Sequence, residues 1–159
     1  MDDTDIRNRT LDKRTLRKET HGWNWSNFIG SAQALKWNRR DIACLDTVIK
    51  MVPKPRRVAV QAGANLGIFP KRLAQKFQAV YTFEPASDLF AIVQHNAPEP
   101  NIYRYQAALG CERKMVGVSR KRRDGKPNAH EGITHIEGTG TVPTLMIDDL
   151  GLPVCDLIQ

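Results

Sequence analysis

The stretch VAVQAGANLGIFP, residues 58–70, carries the first residues whose types and spacing suggest chemistry. Val58, Ala59 and Val60 lead into Gln61, and Gly63 and Gly67 then stand four apart with Asn65 between them. A glycine turn between a strand and a helix lets backbone approach a ligand closely, and the helix N-terminus that follows favours a carboxylate. What the loop lacks narrows the ligand. A phosphate-cradling loop needs Lys-Ser/Thr after its last glycine, and here Ile68 follows Gly67. A dinucleotide loop needs G-x-G-x-x-G; counting back from Gly67, the two earlier glycine positions hold Ala62 and Ala64. S-adenosylmethionine has an amino-acid head and a sulfonium but no phosphate, so it asks for no lysine.

Glu84 adds a second group. It follows the strand-like run AVYTF, 17 residues after Gly67. A carboxylate there can accept hydrogen bonds from both ribose hydroxyls, which are free in adenosylmethionine and in NAD alike. Other clusters offer less. His130 and His135 are five apart with Gly132 between them, against the four-residue helical spacing of a zincin, and no metal is expected. RKRRDGK, residues 120–126, meets the loose description of a nucleic-acid patch, but Asp124-Gly125 is a hairpin-turn signal and charged loop tips are common. Asp156 is open between a place near the site and a structural hydrogen bond, and no catalytic base is assigned.

These groups need a scaffold, and periodicity supplies one. Ile42, Leu45, Ile49 and Val52 recur at helical steps within residues 37–52, ahead of Pro53 and Pro55. Trp23, Trp25, Phe28 and Trp37 are candidates to pack that helix. After the proline break come a strand at 58–61, the loop, and a short helix with Phe69, Leu73 and Phe77 on one face and Pro70 in its first turn. A strand at 79–85 leads to a helix capped by Ser87, with Leu89, Ile92 and Val93 inward. NIYRYQAAL, 101–109, reads as a third strand, KMVGVS as another, TVPTLMIDDLGLP as a strand running into a short helical turn, and VCDLI, 154–158, as an apolar strand beside the first. Strands alternating with helices through short links predict an α/β fold with a parallel sheet and right-handed crossovers.

Taken together, VQAGANLGIFPKRLA, VYTFEP, the helix ending HNAP, NIYRYQAALG and VPTLMIDDLGLPVCDLI resemble the FkbM family of S-adenosylmethionine-dependent methyltransferases over residues 56–159. The resemblance implies a Rossmann-like class I methyltransferase domain at 56–159, with residues 1–55 as a basic, mainly helical N-terminal extension. It implies that Gln61, Gly63, Asn65 and Gly67 bind the methionine portion of the cofactor, that Glu84 binds ribose, and that Gln106 lies near adenine. It also implies methyl transfer to a hydroxyl of a sugar or another small metabolite. Two departures stand out. Gln61 replaces the family's carboxylate, and the family's fourth strand continues into an acidic-x-Glu-Gly motif where this sequence reaches Gln159. The expectation is therefore a C-terminally incomplete domain, inactive as it stands, with an unpaired strand edge at 154–158 prone to self-association.

Composition bounds the remaining readings. At 159 residues the chain suits one core. No apolar run approaches the roughly 20 residues of a membrane span, residues 1–18 lack the apolar segment of a secretory signal, and Cys44, Cys111 and Cys155 are odd in number and far apart. A cytoplasmic protein with reduced thiols and no membrane partner is expected. Residues 1–57 carry 13 Lys/Arg against 7 Asp/Glu, whereas 58–159 carry 11 against 10. The basic surplus lies outside the glycine-loop region, as solvated helix surface or as a contact for an anionic partner. A basic nucleic-acid-binding module on a Rossmann-like core is the alternative function, and an NAD-dependent oxidoreductase is the third.

Overall fold

The computed structural model describes residues 31–119 and 135–159, with side chains from Asp41 onward. The arm at 1–20, Trp23, Trp25, Phe28, the side chain of Trp37, the charged tip at 120–126 and His130 lie outside the described residues. Helix α1 spans Ser31–Met51 and ends ahead of the proline pair, as the pattern predicts. Strand β1, Val58–Ala62, follows, then α2, Ile68–Ala74, and β2, Ala79–Phe83. Helix α3, Ser87–Asn96, leads into β3, Ile102–Tyr105. After β4, Ala108–Leu109, and β5, Met115–Ser119, come the long β6, His135–Leu145, a 3-10 turn at Ile147–Leu150, and β7, Leu157–Ile158.

The main sheet is parallel with order β3-β2-β1-β7. The result is an α/β fold compatible with a Rossmann-like arrangement. Chain direction across the sheet reverses at β1: β2 and β3 build out to one side and β7 returns to the other. Open parallel sheets bind ligands at such a switch point, outside the carboxyl ends of the strands. The glycine loop leaves β1 at that place.

Each face of the sheet has its own cover. Ala59, Val80 and Ile102 point one way and pack with Leu45 and Ile49 of α1 and with Leu73 and Phe77 at α2. Ile42, Leu45 and Ile49 are all buried, each contributing about 1.5–3 kcal/mol by removal from water, so the end of the basic extension forms part of the core. The opposite face carries aromatic side chains. Tyr81 stacks on Tyr103 with centroids 4.7 Å apart, and Phe83 stacks on Tyr105 at 4.9 Å, as the register pairs them. Val60, Phe83 and Ala107 are covered there by Leu145, Ile147, Leu150 and Leu152.

Three expectations need correction. The run 101–109 is two strands in two sheets: β3 stays on β2, and β4 pairs with β6 (Ala108↔Thr144, Leu109↔Leu145). Apolar content alone cannot show a strand changing sheets at Gln106-Ala107. Ser87 is the first residue of α3 and Ala86 is its N-cap, with no side-chain cap bond; the Ala86 amide is engaged by Glu84. Phe77 lies beyond the end of α2, yet is buried on the expected face.

β5 and β6 pair antiparallel, with a register shift between Val116 and Gly117. A Cβ built on Gly140 would lie 2.4 Å from the Gly117 Cα, so the two backbones cross at glycines.

β7 lies beside β1 as expected, but covers only Leu157–Ile158 of the predicted 154–158, with Leu157 opposite Ala59 and Ile158 opposite Val60. It forms one edge of the main sheet, and Ile158 is 62 % exposed. Asp156 fastens its start. Its carboxylate accepts from the Arg57 Nη2 at 2.9 Å, the Arg57 amide at 2.7 Å and the Val58 amide at 3.0 Å. Those donors sit at the entry of β1, about 13 Å of strand from the loop, so Asp156 is structural. The Arg57 guanidinium, with the Val58 amide, lowers its carboxyl to about 2 from 3.8. A depressed folded value means that the clamp is complete above about pH 4 and is lost as pH falls towards 2. Asp156→Asn is expected to melt lower than wild type at pH 6 and to lose less on acidification from pH 4 to pH 2. Parallel melting curves for the two proteins across that range would show that the carboxylate is not the clamp.

Candidate functional site

The glycine loop turns sharply because three of its residues are left-handed: Gly63 at φ 77°, Asn65 at φ 51° and Gly67 at φ 87°. Glycine takes such angles at no steric cost, and asparagine is the side chain that tolerates them best. The turn directs the loop's amides inward. Those of Gly63 and Ala64 both donate to the Phe83 carbonyl, at 2.9 and 3.0 Å. The Asn65 amide donates to Glu84 Oε2 at 2.8 Å, and that of Gly67 to the Ala64 carbonyl at 2.8 Å.

Glu84 is 3 % exposed. Its Oε1 accepts from the Ala86 amide at 3.0 Å, so one carboxylate joins the loop after β1 to the turn after β2. An ionised carboxylate offers about four acceptor positions, so it can accept more than these two bonds. Gln61 is fully buried. Its Nε2 donates to the Ala62 and Gly63 carbonyls, both at 2.9 Å, and its Oε1 accepts from the Thr82 hydroxyl. It lies beneath the loop and braces it.

The two glycines differ in surroundings. A Cβ on Gly63 would meet nothing within 4 Å, so the space beside this glycine is open. A Cβ on Gly67 would lie 3.4 Å from the Cβ atoms of both Asn96 and Ala97. The end of α3 therefore lies directly beside Gly67. Helix α2 is only seven residues long and the Gly67 amide points back to Ala64, which leaves little of the expected helix-terminus site for a carboxylate. The Asn65 Oδ1 is buried and has no hydrogen-bond partner among the described residues.

Gln106 is exposed directly after β3. It borders a cleft of about 370 Å³ between the turn at 85–88 on one side and Val118, Thr141 and Val142 on the other. The cleft begins one residue beyond Glu84, so Gln106 and the loop flank the same carboxyl ends of the strands. Two polar residues that hold the site escaped sequence reasoning. Thr82 stands opposite Gln61 in the register. Asn96, 1 % exposed, donates from Nδ2 to the Leu66 carbonyl at 2.8 Å. A signal for both exists: each is a polar residue on an otherwise apolar inward stripe, Thr82 two after Val80 and Asn96 three after Val93. Of the other candidates, His135 opens β6, and no disulfide joins Cys44, Cys111 and Cys155.

No protein-family profile, curated protein or solved structure matches this chain. Among the described residues no helix is long and apolar enough to cross a membrane.

The unlike surroundings of the two glycines give a direct test. Gly63→Ala is expected to cost about 1–2 kcal/mol from the left-handed backbone alone. Gly67→Ala bears the same strain plus new Cβ contacts with α3 at 3.4 Å, where Gly63→Ala meets open space, so it is expected to be the less stable of the two in urea unfolding. Equal losses would mean that α3 does not confine the Gly67 position.

Proposed function

We propose that this protein binds S-adenosylmethionine and transfers its methyl group to a hydroxyl of a sugar or another small metabolite. The observation that carries the reading is the direction of the loop's amides. Phosphate-binding loops aim their N–H groups at the ligand, whereas the amides of Gly63, Ala64, Asn65 and Gly67 are all engaged by protein acceptors. No lysine or arginine lies between Gln61 and Phe69 to neutralise a phosphate in their place. The acceptors of the loop region are the Asn65 Oδ1, buried and without a partner among the described residues, and the Glu84 carboxylate. Acceptors fit a ligand that presents donors, as the ammonium and ribose hydroxyls of adenosylmethionine do. Pyrophosphate, the centre of NAD, fits poorly.

On this reading Asn65 receives the ammonium, Glu84 the ribose and the cleft beside Gln106 the base. The bound cofactor supplies a methyl group on a positively charged sulfur, activated for displacement. The chain's part is to hold donor and acceptor in line, which supplies much of the acceleration in such a reaction. The order of the motifs and their similarity to the FkbM pattern support the same assignment and the hydroxyl acceptor.

Calorimetry on the purified chain is expected to detect adenosylmethionine in preference to NAD. Glu84→Ala is expected to weaken that binding roughly 10- to 150-fold, the equivalent of about 1.5–3 kcal/mol for hydrogen bonds to a charged group. Tighter binding of NAD than of adenosylmethionine would overturn the cofactor assignment. High-affinity binding of RNA or DNA that collapses between 50 and 200 mM salt, without adenosylmethionine binding, would favour a nucleic-acid module instead.

A further inference from the structure

We propose that Gln61 is a positioning residue, whose neutral amide locks the glycine loop in shape and makes no contact with the ligand. Every polar atom of its side chain is committed inside the protein. Both hydrogens of Nε2 go to consecutive carbonyls, those of Ala62 and Gly63, and Oε1 takes the Thr82 hydroxyl. The two carbonyls fix which end of the amide is which, because an oxygen turned towards them would replace two hydrogen bonds with two repulsions. Gln61 and Thr82 are 0 % and 1 % exposed, directly opposite in register, on the face of the sheet that the helices cover.

The chemistry of the brace is selective. It needs two donors and one acceptor on a single planar group, and among side chains of this length only glutamine supplies that set. An ionised glutamate is acceptor-only. At position 61 it would set negative oxygen against the Ala62 and Gly63 carbonyls in a site closed to water, where an unpaired charge is costly. A carboxylate is the charge-complementary partner for an ammonium ligand. At position 61 of this chain it would instead break the loop that holds the ligand. Thr82 belongs to the same device, since its hydroxyl anchors the amide to β2.

The inference rests on the proposed function only in its affinity measurement; the loop measurement stands without a ligand. Hydrogen exchange on the full chain reads the loop through the Gly63 and Ala64 amides, both bonded to the Phe83 carbonyl, with the Val80 amide, bonded to the Asn101 carbonyl, as a control in the same sheet. Gln61→Met and Gln61→Glu are each expected to speed exchange at Gly63 and Ala64 at least tenfold relative to Val80. Thr82→Val is expected to do the same to a smaller degree, and Thr82→Ser to restore wild-type exchange. Gln61→Glu is further expected to weaken adenosylmethionine binding. Wild-type exchange in Gln61→Glu, or in Thr82→Val should the position 61 variants not fold, would overturn the brace. Tighter binding by Gln61→Glu would overturn it too, by showing that the position faces the ligand. If wild type does not bind adenosylmethionine, the proposed function fails and the exchange rates still decide the role of Gln61.

Discussion

A carboxylate that is 3 % exposed must be surrounded by donors, and around Glu84 they include backbone amides from two different crossovers. Asn65 comes from the loop after β1, and Ala86 from the turn after β2. Satisfying one buried charge therefore fixes the distance between two strand-to-helix connections. The consequence reaches further through α3. Its first residues follow Ala86, and its last, Asn96, donates to the Leu66 carbonyl one residue beyond Asn65. A helix of ten residues, about 15 Å long, is thus tied to the same loop at both ends. Gly67 completes the fit: its left-handed φ of 87° favours glycine, and a Cβ there would already touch Asn96 and Ala97 of the α3 end at 3.4 Å.

The sheet shows the same economy on its two faces. On the helix-covered face, the apolar rows of Ala59, Val80 and Ile102 give way to the polar pair Gln61 and Thr82 as the strands reach their carboxyl ends. That change from apolar to polar marks where packing stops and the site begins. On the other face, stacked aromatic rings on β2 and β3 meet a second, smaller sheet and a 3-10 turn in place of helices. The second sheet reaches the cleft only because β4 leaves the line of β3 after Gln106, and because Gly117 and Gly140 let β5 and β6 cross closely. Val118, Thr141 and Val142 then form the wall opposite the turn at 85–88.

Much of this was legible in the residues. The apolar stripe of Ile42, Leu45 and Ile49 predicts α1 and its buried face, and the alternation of strand and helix patterns predicts the parallel sheet with β7 beside β1. Those signals are local: 3.6- and 2-residue periods follow from which face of an element avoids water. The glycine spacing likewise predicts a sharp loop, since left-handed angles select glycine and asparagine. Less legible were the features that depend on a partner distant in sequence. Ser87 has the right chemistry for a cap, but nothing near it reveals that Glu84 already holds the turn. The run 101–109 is uniformly strand-like, and its division between two sheets is decided by Thr144 and Leu145, more than thirty residues on.

By itself, the sequence determined the type and order of the elements, the place of the loop at the end of β1, and the absence of the lysine that a phosphate loop requires. Only the tertiary structure decided which hydrogen bonds each polar side chain in the loop region makes. Gln61, Asn65 and Glu84 are all capable of meeting a ligand, and their residue types do not distinguish them. Their hydrogen bonds do, because a donor or acceptor satisfied inside the fold is unavailable outside it. Gln61 is fully committed, Glu84 accepts from the Asn65 and Ala86 amides, and the Asn65 Oδ1 has no partner among the described residues.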